Sequence, residues 1–318
     1  MISFCRISIL HLLLYLKIRL KEKCKMTEQQ KKIIGFIGIG VMGKSMVKNL
    51  QKAGYDINLY TRTKAKAEAL LNETTLWKNS PAEIASSSDV IITMVGYPQD
   101  VEEIYFGPSG ILDHAKTNSY LIDMTTSKPS LAEKIYAEAK EKGMHSLDAP
   151  VSGGDVGAQN GTLAIMVGGD QAAFDDVLPI FQIMGENIVL QGAAGAGQHT
   201  KLANQITIAS NMIGVCEAIM YSKKAGLDPS SVLESITTGA AGSWSLSNLA
   251  PRMIKGDYAP GFFVKHFIKD MMIALESAEE LGLKTPGLSL SLSLYRELAE
   301  MGEQDSGTQA LIKYFEQA

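Results

Sequence analysis

Two side chains able to move or orient a proton stand three residues apart in the run Gly195-Ala196-Gly197-Gln198-His199-Thr200-Lys201-Leu202-Ala203-Asn204-Gln205. Glycines open this run, and Leu202, Ile206, Ala209, Ile213 and Ala218 then recur at helical spacing, in a pattern that continues to Lys224. Residues three apart share a helix face, so Lys201 and Asn204 project together near the helix start. The positive end of a helix dipole disfavours an ammonium, which makes Lys201 a candidate proton donor. The same residues also read as a solvated lysine beside a helix-opening glycine, and what lies upstream decides between the two.

A second group of residues has the spacing of a phosphate cradle. Lys32 to Ile37 reads as a buried strand and runs directly into Gly38-Ile39-Gly40-Val41-Met42-Gly43, after which Met46, Val47 and Leu50 mark a helix that stops at Gly54. Strand, G-x-G-x-x-G, helix is the context of a dinucleotide site. Gly38 permits the tight turn, Gly40 lets a pyrophosphate approach the backbone, and Gly43 lets helix and strand pack closely. The stretch from Gly38 to Ser45 also fits G-x-x-x-x-G-K-[ST], with Lys44 and Ser45 in place and Asp123 at the end of a later strand, so an NTPase phosphate loop is the competing reading. The next strand, Asp56 to Tyr60, weighs against it. It runs into Thr61, Arg62 and Thr63 with no Asp or Glu to accept from a ribose 2′-hydroxyl, and a cation with two hydroxyls suits a 2′-phosphate. NADPH is therefore the expected cofactor, with NAD as the lesser option. A third group, Ser152-Gly153-Gly154 after Asp148-Ala149-Pro150-Val151, can turn several backbone N–H groups toward one point and hold a carboxylate.

These groups need a scaffold, and the rest of the chain supplies one. Buried strands are expected at Asp89–Val95, Ser119–Met124, Met144–Asp148, Leu163–Val167 and Asn187–Leu190, with helices opening at Ser80-Pro81 and Lys128-Pro129 and another over Gln171–Met184. Alternating strands and helices predict an α/β fold with a Rossmann-like, doubly wound, mainly parallel sheet, whose ligands collect at the carboxyl ends of the strands. After Leu190 the strand pattern stops. Helices follow at about 197–225, 230–237, 269–281, 286–300 and 308–315, so the spacing predicts a dinucleotide-binding domain over 26–191 and an all-α domain over 192–318, joined by the long helix.

Composition narrows the classes. The chain has 318 residues, 46% of them apolar, and a net charge of -4, which suits globular domains with a real core and gives no reason to expect nucleic acid or membrane partners. Three cysteines, Cys5, Cys24 and Cys216, form no disulfide framework, and no cysteine or histidine spacing suits a metal, so a reduced, cytoplasmic protein without metal is expected. Residues 1–25 differ from the rest. Ile7 to Leu16 is apolar apart from His11, shorter than the ~20 residues a bilayer needs, and basic residues follow it with no cleavage site. This extension is expected to lie outside the fold, with Met26 as the functional start.

Taken in order, Gly35–Gly43, Asp148–Gly154, Gly195–Asn204 and Lys269-Asp270-Met271 resemble the β-hydroxyacid dehydrogenase family over about residues 32 to 316. The resemblance implies Lys201 as the catalytic lysine, Asn204 beside it in the substrate site, and Ser152, Gly153 and Gly154 on the substrate carboxylate. It also implies cofactor contacts at Thr126 and Lys269, with Val95 and Gly96 near the nicotinamide, and assembly as a homodimer or homotetramer. Gly96-Tyr97-Pro98 stands where many members have Leu-Pro, Thr61 where Asn is frequent, and Thr125 where Ser is frequent. The implied activity is hydride exchange between a short β-hydroxy acid and its semialdehyde. The rivals are the phosphate-loop NTPase and a catalytically silent dinucleotide-binding scaffold, and the presence of Lys201 weighs against the second. Imine reductases share the architecture and generally lack this lysine.

Overall fold

A computed structural model describes residues 31–317, so the expectation about residues 1–25 lies outside the described residues. Nine strands form one sheet among these residues: β1 (Ile34–Ile37), β2 (Ile57–Tyr60), β3 (Thr75–Trp77), β4 (Val90–Thr93), β5 (Tyr120–Asp123), β6 (His145–Asp148), β7 (Val151–Ser152), β8 (Leu163–Gly169) and β9 (Gly185–Gly192). Their order is β3-β2-β1-β4-β5-β6-β8-β7, with β9 also paired to β8. From β3 to β6 every pairing is parallel. Strands buried on both faces must be apolar throughout, which is why β1 and β4 read as unbroken hydrophobic runs.

The two faces of the sheet carry separate cores. Phe36, Ile92 and Ile122 pack with Met46, Val47 and Leu50 of the Val41–Lys52 helix and with Val177 and Phe181 of the Gln171–Met184 helix. On the other face Ile37, Ile91 and Leu121 meet Ile84, Val101, Tyr105, Leu131 and Ile135 from the helices Pro81–Ser87, Pro98–Phe106 and Pro129–Glu141. Successive strand residues point to opposite faces, so Ile91 and Ile92 serve different cores. The doubly wound fold expected from the alternation is the one observed.

The sheet departs from parallel at β8, which runs antiparallel to both β6 and β7. The reason is length. Only residues 153–162 separate β7 from β8, and a parallel return needs a dozen or more residues. The short strands β3 and β7 were not legible as strands, since three and two residues give no period to read.

Strand β9 ends at Gly192, and a 29-residue helix, Ala196–Lys224, begins the helical half. Leu202, Met212 and Ile219 of this long helix pack against Phe267 and Met271 of the Val264–Glu280 helix and against Leu292 and Tyr295 of the Pro286–Leu298 helix. The Val264–Glu280 helix starts five residues before the expected Lys269. Gly261-Phe262-Phe263-Val264 has the composition of a strand, yet Val264, Phe267, Met271 and Ala274 are buried at helical spacing, and that packing overrides local preference. The short helices Trp244–Asn248 and Ala250–Ile254 were also unread, being too brief for a periodic signal.

The joint between the halves is tight. Gly195 caps the long helix with φ +87, and a Cβ on Gly197 would lie 2.4 Å from Met166 O and 2.6 Å from Asp148 O. Gly197→Ala is therefore expected to destabilise the protein by about 1–3 kcal/mol through overpacking, read as a lower urea midpoint at unchanged slope. An unshifted midpoint would mean that the joint has slack.

Candidate active site

The fingerprint turn has the shape that its three glycines require. Gly38 has φ +104, and a Cβ there would lie 2.1 Å from Met94 O. A Cβ on Gly43 would lie 2.1 Å from Gly38 O, so helix and turn close against each other. Nothing comes within 4 Å of a Cβ on Gly40, while Val41 beside it is 50% exposed, an apolar surface at a helix start. Open space above Gly40 and the N-terminus of a 12-residue helix fit a pyrophosphate.

The NTPase reading fails on the same geometry. The helix begins at Val41, so Gly43, Lys44 and Ser45 are already helical and no loop is left to wrap a triphosphate. The Asp123 it would use for magnesium is buried, accepting from Thr93 Oγ1 at 2.7 Å and from Thr125 N at 3.1 Å. Burial raises its carboxyl to about 6. Among the described residues no group of three His, Cys, Asp or Glu side chains is placed to hold a metal.

Lys201 lies in the second turn of the long helix and is buried, 6% exposed. Burial brings its ammonium down to about 8; the Asp270 carboxylate opposes that shift and the Lys269 ammonium adds to it. The cause expected from the sequence, the helix dipole, is not the operative one, because that effect fades beyond the first turn. Desolvation does the same task more strongly. Among the described residues Lys201 Nζ makes no hydrogen bond, so its donors remain free for a ligand.

A chain of polar contacts surrounds the lysine. Asn204 Nδ2 donates to Gln205 Oε1 at 2.8 Å, and Gln205 Nε2 donates to Asp270 Oδ2 at 2.6 Å. Asp270 Oδ1 is 3.0 Å from Lys269 Nζ, which donates to Thr126 O at 2.9 Å. The Asp270 Oδ1 contact is an ion pair without hydrogen-bond geometry, and that oxygen has no hydrogen-bond partner. Thus the structure brings Lys201, Asn204, Lys269 and Thr126 together through Gln205 and Asp270, two residues that stand in the sequence motifs without a role of their own. Gln205 is adjacent to Asn204 and Asp270 to Lys269, but only the fold shows that they face each other.

The helix start is held from the sheet. Asp148, at the end of β6, accepts from Gly195 N and Gln198 N, each at 2.8 Å. Burial raises its carboxyl and these N–H donors oppose the shift. Gln198, fully buried, donates to Thr125 O at 2.7 Å and accepts from Ser127 N at 2.9 Å.

The remaining candidates are placed less uniformly. Gly153 and Gly154 both have positive φ, +128 and +62, and a Cβ on Gly154 would lie 3.7 Å from Gly261 O, so this turn faces the helical half. Among the described residues no hydrogen bond links Ser152 to Lys201. Val95 N donates to Thr125 Oγ1 at 3.0 Å, and a Gly38 side chain would meet Val95, so Val95 and Gly96 border the fingerprint. Thr61 is half-buried, and Arg62 and Thr63 are exposed at the end of β2. Residues 60–63 carry no carboxylate, but the fold brings one from another connection, with Asp100 Oδ1 3.0 Å from an Arg62 Nη.

Comparison with known proteins agrees with this architecture. Residues 33–192 match the family described as the NAD binding domain of 6-phosphogluconate dehydrogenase, and residues 195–315 match the NAD-binding domain of NADP-dependent 3-hydroxyisobutyrate dehydrogenase. The chain is 64% identical over 283 residues to the oxidoreductase YkwC of Bacillus subtilis, covering 89% of this chain and 98% of that protein. It is 38% identical to 2-hydroxy-3-oxopropionate reductase of Escherichia coli, covering 89% and 97%. Among solved structures, Mycobacterium tuberculosis 3-hydroxyisobutyrate dehydrogenase with L-serine superposes with a TM-score of 0.83 at 30% identity, covering 90% and 99%. The chain belongs to the β-hydroxyacid dehydrogenase family, oxidoreductases that use NAD or NADP.

A buried base with a lowered pKa costs stability wherever it must be charged. With the folded value near 8 and the unfolded value at 10.5, the cost is full below pH 8 and disappears as pH rises to 10.5. Lys201→Met should therefore be more stable than the wild type at pH 7, by a margin on the order of 3 kcal/mol. The margin should shrink toward pH 10; a margin constant with pH would show that Lys201 is not desolvated.

Proposed function

We propose that the protein interconverts a short β-hydroxy acid and its semialdehyde, with Lys201 transferring the proton and NADPH preferred over NADH. The observation that carries this reading is a buried lysine with unpaired donors, brought to about 8, on a helix pinned to the carboxyl edge of a dinucleotide sheet. When bound, the nicotinamide supplies or accepts the hydride. In reduction, the Lys201 ammonium hydrogen-bonds the carbonyl oxygen and gives up its proton as the alkoxide develops; in oxidation, the neutral amine takes the hydroxyl proton. Asn204, its amide fixed by Gln205, orients substrate or lysine. Ser152, Gly153 and Gly154 hold the carboxylate, which fixes the reacting carbon. Gly38, Gly40, Val41, Met42, Gly43, Val95, Gly96, Thr126 and Lys269 line the cofactor site, and Arg62 with Thr61 and Thr63 meets the 2′-phosphate.

The relatives' names support the substrate class: 2-hydroxy-3-oxopropionate and L-serine are both short three-carbon acids with oxygen at the β-carbon. A panel of glyoxylate with tartronate, succinic and methylmalonate semialdehydes, each with NADPH and NADH, tests substrate and cofactor together. Turnover of neither tartronate nor methylmalonate semialdehyde, the two whose reduced forms are β-hydroxy acids, would overturn the reading.

The same reading divides the chain into a dinucleotide-binding domain over 26–191 and a helical domain over 192–318, and places a homodimer or homotetramer in the cytoplasm. Exposed Tyr221, Trp244, Leu281 and Leu283 on the helical half support assembly through that half. No helix among the described residues is long and apolar enough to cross a membrane.

Lys201→Ala should lower kcat roughly 10²- to 10⁴-fold and leave NADPH affinity nearly intact. In the wild type, kcat/KM for reduction should fall above about pH 8 and kcat/KM for oxidation should fall below it, following the charge on Lys201. Profiles that move the same way in both directions would assign the proton transfer to another group.

A further inference from the structure

The usual NAD site in such a sheet accepts the ribose 2′-hydroxyl with a carboxylate at the end of the second strand. Residues 60–63 have none, but the fold delivers one from a different connection. Strands β2 and β4 flank β1, so the segments after them face each other beside the Gly38–Gly43 turn. Asp100, in the first turn of the Pro98–Phe106 helix after β4, thereby reaches Arg62 after β2, with Oδ1 and an Arg62 Nη 3.0 Å apart.

The two partners are held very differently. The Asp100 side chain is 15% exposed, and its Oδ2 accepts from Tyr97 N at 3.1 Å. Gly96 leaves little to spare, since a Cβ there would lie 3.3 Å from Asp100 Oδ2. The Arg62 side chain is 77% exposed and has no other polar partner among the described residues. An ion pair this open to water is weak. The guanidinium can therefore turn to another anion while the carboxylate stays where it is.

We propose that Asp100 is a cofactor-specificity residue: its fixed carboxylate accepts from the 2′-hydroxyl of NADH and opposes the 2′-phosphate of NADPH, narrowing the preference that Arg62 supplies. This rests on the reading that Arg62 meets the phosphate. A phosphate monoester carries about −1.5 to −2 charges at neutral pH, and it must draw Arg62 away from Asp100 and then remain near that carboxylate. A 2′-hydroxyl has the opposite relation to Asp100, because it brings a donor to an acceptor-only group. The two effects have opposite signs for the two cofactors, so one substitution separates them.

The experiment measures Kd for NADPH and NADH by fluorescence titration of the full-length protein without substrate, for wild type, Asp100→Asn and Arg62→Ala. Asp100→Asn keeps an oxygen for the Tyr97 N–H, and Asp100→Ser repeats the measurement with a shorter acceptor. Asp100→Asn should tighten NADPH and weaken NADH, each by about 3- to 10-fold. Arg62→Ala should weaken NADPH alone. If Asp100→Asn weakened NADPH, its carboxylate would be orienting Arg62 and the proposal would be overturned; unchanged affinities for both cofactors would overturn it as well. In either case a loss of NADPH affinity in Arg62→Ala would leave the Arg62 reading standing. No loss in Arg62→Ala would remove that reading and this proposal together.

Discussion

The geometry of the candidate site depends on one carboxylate. Asp148 ends a strand of the sheet, and its two oxygens take the backbone N–H groups of Gly195 and Gln198 at the start of the long helix. Four N–H groups at any helix start lack intrahelical partners, and a buried start must find them elsewhere. Here the partner comes from 47 and 50 residues away, so satisfying the helix also fixes its position on the sheet. The burial cost of the Asp148 charge is offset by charge-assisted hydrogen bonds, each contributing about 1.5–3 kcal/mol. Gln198 adds two contacts to the segment after β5. Lys201 follows one turn later, and its location is set before any ligand arrives.

Around that lysine, opposing effects are balanced. Burial and Lys269 favour the neutral amine, Asp270 favours the ammonium, and the outcome lies near neutrality, where a group can both give and take a proton. Asp270 is itself buried between Gln205 and Lys269, so its charge is held in place. The Lys269 contact to Thr126 O carries the same chain of polar groups across to the sheet. Hydration would screen all of these charges, and the low exposure of Lys201, Gln205 and Asp270 is what lets them act on one another.

Much of this was legible in the residues. Ile34–Ile37 running into Gly38, Gly40 and Gly43 left two strand–turn–helix readings, a dinucleotide fingerprint and a phosphate loop, and the following strand favoured the first; the long helix declared itself by its period. The lowered pKa of Lys201 was legible, but for the wrong cause, because burial is a property of what packs around a residue. Gln205 and Asp270 were illegible for a related reason: an amide beside Asn204 and a carboxylate beside Lys269 carry no local sign of being 65 residues apart yet 2.6 Å from each other. Strand β8 hid its direction, since an apolar run has no polarity and only the ten residues before it show that the chain had to turn back. Asp100 was missed likewise, its partner lying in a connection from another strand.

The contacts between sheet and helical half are unequal in density. The joint at Gly195–Gln198 has two carboxylate contacts, two amide contacts and a glycine that admits no side chain. Elsewhere stand the Lys128–Glu276 ion pair, the Lys269 contact to Thr126 O and the rings of Tyr97 and His266, 5.9 Å apart. The joint is the sewn spine of the molecule, where most of the stitching between its halves is gathered. Lys201 sits one helical turn from that stitching, so its place against the sheet is set by the densest contacts between the halves.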